Sequence, residues 1–145
     1  MKHLKTSARS LFAACALVGL HAGAFAAEWV LVASAKSSVR NLDMATAESL
    51  YMGKTSELPG VGAIAVHDLP EGNAVRDAFY QETSNKNASA IKAYWSRMIF
   101  TGKGQPPKVV ESSAALKKAL AANPSAIGYL EKSAVDASLK VLLAP

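Results

Sequence analysis

Few side chains in this sequence are equipped for covalent chemistry. Beyond the first 26 residues there is a single histidine, His67, and no cysteine. A Ser-His-Asp relay would have to run through His67, with Asp68 beside it. Adjacent residues on an extended chain point to opposite faces, and no G-x-S-x-G elbow is present. His67 therefore reads as a packed or solvated histidine at a strand end. No catalytic residue is assigned, and the chain is not expected to be an enzyme. Zinc wants three or four His, Cys or carboxylate ligands at set spacings. Glu48, Glu57, Asp68, Glu71 and Asp77 are scattered and form no calcium loop. Neither a metal nor a cofactor is expected.

Anion binding is the chemistry best served by the residues present. In "HDLPEGNAVRDAFYQ" an apolar run gives way to Pro, Gly and Asn and then to a helical pattern. Free backbone N–H groups at a helix start, with a glycine allowing close approach, make an anion cradle. Gly72, Asn73, Ala74, Val75 and Arg76 are the candidate ligand-binding residues, with Arg76 supplying charge. The competing reading is an ordinary cap on Asn73. "TGKGQPPK" lacks the G-x-x-x-x-G-K-[ST] spacing and reads as a solvated loop, with Thr101, Lys103 and Lys108 available to line a rim. Tyr94 and Trp95 share a helical stripe with Ile91 and Met98, so they read as core rather than as a stacking platform.

The elements that must position these residues follow from periodicity. Residues 1–26 are set aside first. Lys2, Lys5 and Arg9 precede the short apolar run "LFAACALVGL", and Ala24-Phe25-Ala26 follows as a small-x-small cleavage pattern. This is a secretory signal, cut after Ala26 or Ala27. Its removal leaves 119 of the 145 residues. It also takes three of the 16 Lys/Arg and none of the 11 acids, so the formal charge falls from +5 to +2. That balance argues against a nucleic-acid partner, and no later apolar run approaches membrane length.

Residues 28–34 read as a buried strand. A helix capped by Asp43 carries Met44, Ala47, Leu50 and Tyr51 at helical spacing and ends at Gly53. "VGAIAVH" reads as one strand, Asn73 starts a helix to about Thr83, and "ASAIKAYWSRMIF" is a stronger helix. A helix capped by Ser112 or Ser113 stops at Asn123-Pro124, and "SAIGYLE" and "SLKVLLA" close the chain as strands. The order β-α-β-α-α-α-β-β implies one α/β domain over residues 27–145, a mixed sheet flanked by helices.

Several stretches together resemble the phosphate-binding proteins of bacterial ABC uptake systems, type II periplasmic binding proteins. "LDMATAESLYMGKTSELPG" is similar to their segment ending in Phe-x-Gly-Lys. "VHDLPEGNAVRDAF" resembles their phosphate segment R-x-D-G-S-G-T-x-x-x-F, and "SAIGYLEKSAV" their Gly-Ala-Ile-Gly-Tyr strand. "AYWSRMIFTGKGQPPK" looks like a subfamily of short exported members.

The resemblance covers nearly all of residues 27–145 but only one of the family's two lobes. It implies an exported, periplasmic module binding phosphate or a similar small oxyanion in an uptake or sensing context. The ligand segment departs from the pattern. Leu69 falls at the arginine, Asn73 at the serine, Ala74 at the second glycine and Val75 at the threonine. Backbone N–H groups of Asn73, Ala74 and Val75 remain, with Arg76 one position beyond. One open lobe leaves half the anion in water, so weak, salt-sensitive binding or completion of the site in a homodimer is expected. The alternative is a ligand-free module that contacts a transporter, porin or sensor.

Overall fold

Strand β1, Trp29–Ser34, is buried along its whole length, which is why its sequence is a continuous apolar run rather than an alternation. The computed structural model describes residues 27–145, so the secretory signal expected over residues 1–26 lies outside the described residues. After β1 come α1 (Met44–Tyr51), β2 (Glu57–Leu58), β3 (Gly62–Ala63), β4 (Ala65–Asp68), α2 (Ala74–Ser84), α3 (Ala88–Phe100) and β5 (Lys108–Val109). The chain closes with α4 (Ser113–Ala122), β6 (Ala126–Glu131), a single 3-10 turn (Lys132–Ala134) and β7 (Leu139–Leu143).

The main sheet has the order β5-β4-β6-β1-β7. Strand β4 runs parallel to β5 and β6, and β1 runs antiparallel to β6 and β7. The mixed sheet flanked by helices expected from the sequence is the one observed. Its two faces are filled by alternate residues. Trp29, Leu31, Ala33, Ile127 and Tyr129 face the layer formed by α1, α2 and α3. Val30, Val32, Ala126 and Leu130 face Leu116 and Leu120 of α4. Gly128 lies under that helix, where an added Cβ would fall 2.3 Å from Leu116 Cδ1. A side chain at residue 128 would displace the Leu116 side chain that packs α4 on the sheet.

Helix starts follow the sequence closely. Asp43, Asn73, Asn87 and Ser112 each accept a backbone N–H with the side chain. Asn85, at φ +52, ends α2 in the left-handed conformation that asparagine tolerates. Two strand assignments needed correction. "VGAIAVH" is not one strand: Gly62–Ala63 pairs with Glu57–Leu58 across a turn, and only Ala65–Asp68 joins the main sheet. Lys108, read as the end of a loop, forms with Val109 a two-residue strand against His67 and Asp68. Such short pairs are set by where the neighbouring backbone lies, which periodicity does not report.

Candidate functional site

Asp68 ends β4 and is only 3% exposed. A buried carboxylate needs partners, and four groups converge on it. The Tyr129 hydroxyl and the Leu69 N–H, the latter at 2.8 Å, donate to Oδ1. The Tyr80 hydroxyl at 2.9 Å and Arg76 Nε at 3.2 Å donate to Oδ2. The topology explains the convergence. Val66 is level with Ile127 in the parallel pair, so two residues on, Asp68 and Tyr129 share a face. Arg76 and Tyr80 are four apart on α2 and share another. The Arg76 guanidinium lies over the Tyr80 ring, 5.0 Å from its centre. Phe79 stacks on Tyr129 with centroids 4.0 Å apart and seals the cluster.

The electrostatics follow from burial and from Asp68. Burial, then the Asp68 charge, pushes the Tyr80 and Tyr129 hydroxyls far above the ordinary phenol range, so both stay donors. Burial works against the Arg76 charge, but Asp68, with help from Tyr80 and Tyr129, outweighs it and the net shift is upward.

The five residues read as an anion cradle lie at the start of α2. Gly72 takes φ +85 with open space around its Cβ position, the conformation that favours glycine. The donors divide. Asn73 N–H donates to the Pro70 carbonyl at 3.2 Å. Val75 and Arg76 N–H donate to Asn73 Oδ1 at 2.9 and 3.3 Å. The Ala74 N–H has no partner among the described residues. Gly72, Asn73, Ala74 and Val75 are thus brought together on one helix start, largely as an ordinary cap. The Arg76 side chain is drawn to Asp68 through Nε, while its two terminal amino groups make no hydrogen bond among the described residues. Beside Asn73, Ala74 and Val75 opens a cavity of about 360 Å³, at the carboxyl end of β6, where open α/β sheets hold ligands. Its wall also carries Glu28, Glu131 and Lys132, with Lys132 Nζ 3.8 Å from Glu28. Two carboxylates there oppose an anion.

Sequence reasoning missed Asp68, Tyr80 and Tyr129 as a unit. The Arg76–Tyr80 spacing was a signal; nothing local points to Tyr129, 61 residues beyond Asp68. His67 is buried, and its Nδ1 has no partner among the described residues. Its carbonyl accepts from the Tyr51 hydroxyl at 3.0 Å. Burial and then the Lys108 charge lower its pKa. Trp95 is core, as its spacing implied. No helix among the described residues is long and apolar enough to cross a membrane.

Comparison with solved structures gives the fold. A phosphate ABC transporter substrate-binding protein from Clostridium perfringens, with bound phosphate, superposes with a TM-score of 0.64 at 21% identity over 79% of this chain and 44% of its own. An ABC-type phosphate transport receptor from Vibrio cholerae gives 0.61 at 21% identity, over 79% and 45%. The fold is like one lobe of these two proteins. PstS from Borrelia burgdorferi agrees, with a TM-score of 0.56 at 13% identity over 79% and 46%. The chain spans less than half the length of these proteins. No family model matches the sequence, and no curated protein matches it.

Proposed function

We propose that the chain is an exported solute-binding module that takes phosphate or a similar small oxyanion weakly at the start of α2. The observation that carries this reading is Arg76 held by Asp68. One guanidinium edge is fixed through Nε, and the terminal amino groups are left for a ligand, in the same first turn as the open Ala74 N–H and after Gly72, whose Cβ position is open. Fixing an arginine in advance lowers the ordering cost of binding. The resemblance of the fold to phosphate-binding proteins supports the choice of anion. Glu28 and Glu131 keep the affinity low, and a second copy facing this rim would complete the shell as a homodimer.

Calorimetry with inorganic phosphate at low ionic strength tests the reading, alongside the shift in unfolding temperature that native-state binding produces. Arg76→Lys keeps the charge opposite Asp68 but loses the fork, so both signals should disappear while the fold persists. Signals equal to wild type would remove Arg76 from the site.

A second reading, an interaction module for a transporter or sensor, is favoured by one observation. Phe100 is 92% exposed at the end of α3, with Ile99 beside it at 56%. If this is the contact, Phe100→Ser should abolish capture of a purified transporter or sensor ectodomain and leave phosphate binding unchanged.

A further inference from the structure

Two loops that each place a glycine beside Trp95 meet although about 50 residues separate them. Gly53-Lys54 follows α1, and Gly104 to Pro107 lead into Lys108, the first residue of β5. They meet against Trp95. A Cβ on Gly53 would lie 3.0 Å from Trp95 Cη2, and one on Gly104 would lie 3.3 Å from Met98 Cε and 3.8 Å from Trp95 Cζ3. Between the loops lies a cleft of about 500 Å³, within the size range of small-molecule sites. Its polar wall includes Lys54, Lys108 and Ser56, and its apolar wall includes Leu50 and Trp95. His67, with its unpartnered buried Nδ1, completes it. No carboxylate lines this cleft. Glu48 meets Lys54 at 2.8 Å in a solvent-exposed pair, of the kind that contributes little and is readily exchanged.

We infer that this cleft is a second ligand site, for a small organic anion. Its oxyanion head lies between the Lys54 and Lys108 ammonium groups and its apolar body lies on Leu50 and Trp95. Two lysines and a serine hydroxyl are donors of the kind such a head requires. The adjoining apolar wall favours an organic anion over inorganic phosphate, because an apolar body gains from leaving water. The site shares no residue with the α2 start and stands whether or not that start binds an anion.

The test uses phenyl phosphate as the probe, on protein recovered from the exported fraction. Calorimetry should show binding to wild type. Lys54→Gln with Lys108→Gln should weaken it at least tenfold, roughly what loss of two opposing charges implies. Arg76→Lys should leave it within about twofold. In wild type the ring resonances of His67 and Trp95 should shift on titration, a readout that does not depend on how the variants fold. Any of four results overturns the site: no heat and no shift up to about 10 mM, a range reserved for negligible affinity; a double lysine variant that binds like wild type; equal binding of uncharged phenol; or loss of binding with Arg76→Lys instead. The last would assign the probe to the α2 start. Loss of inorganic phosphate binding alone in Arg76→Lys would leave the two sites separate, as inferred.

Discussion

Two cavities of the domain have opposite character. The one by the α2 start, at the carboxyl end of β6, stands where open α/β sheets bind ligands, yet Glu28 and Glu131 line it. The one along β4, between the loops at residues 53–56 and 104–108, has no carboxylate and carries Lys54 and Lys108. Position in the fold and local charge therefore point to different places. Arg76 shows the same separation on a smaller scale. It sits in the first turn of the helix whose start suits an anion, but its Nε is bound to Asp68. The difference teaches that a fold passes on a location for binding, while the side chains around that location decide what it holds.

The comparison can be broken first at Asp68. Asp68→Asn keeps the shape but leaves the largely buried Arg76 charge without its counter-ion. Urea unfolding should show a loss of about 3–5 kcal/mol, the cost of breaking one partner of a buried pair. A loss below about 1 kcal/mol, the scale of exposed pairs, would mean that the cluster does not hold the α2 start in place. Gly53→Ala comes next. It meets a φ of +65 and Trp95 at 3.0 Å, so a loss of roughly 1–3 kcal/mol is expected from backbone strain. The Trp95 indole resonance should move with it, since the edge cleft is shaped by that contact.

Smaller effects sharpen the contrast in charge. Glu131→Gln, and more so Glu28→Gln with Glu131→Gln, should tighten phosphate binding several-fold by removing like charge at the α2 start, about 1 kcal/mol per exposed charge at short range. Unchanged affinity would show that the anion does not sit in that cavity. The least effect is expected from His67. Its pKa is lowered in the folded chain by burial and by Lys108, so the unfolded chain takes up the proton first. Stability should then begin to fall as pH drops through about 6.5, the ordinary histidine value, and the fall should end below the folded pKa. Unfolding midpoints at pH 7.5 and 5.5, near either side of that value, should differ more in wild type than in His67→Gln. Equal differences would place His67 in water-like surroundings.

Much of the fold was legible because its signals are local. Helix caps at Asp43, Asn73 and Ser112 satisfy donors only a few residues away. The stripes on α1 and α3, and the unbroken apolar runs of β1 and β6, report the faces they bury. The short strands β2, β3 and β5 were not legible, since a two-residue pair depends on a neighbour brought in by the rest of the chain.

The site divides along the same line. By its residues the sequence determined a glycine-flanked helix start, an arginine in its first turn, and one histidine with no nucleophile partner. Those are properties of spacing along one segment. Only the tertiary structure decided that Arg76 would be held by Asp68 and Tyr80, that Tyr129 would close the cluster from β6, and that carboxylates from residues 28 and 131 would border the cradle. It alone brought the loops at residues 53–56 and 104–108 together around Trp95. The physical reason is range. Capping and periodicity act over a few residues, whereas the potential at a site sums charges that are close in space, wherever they stand in the chain.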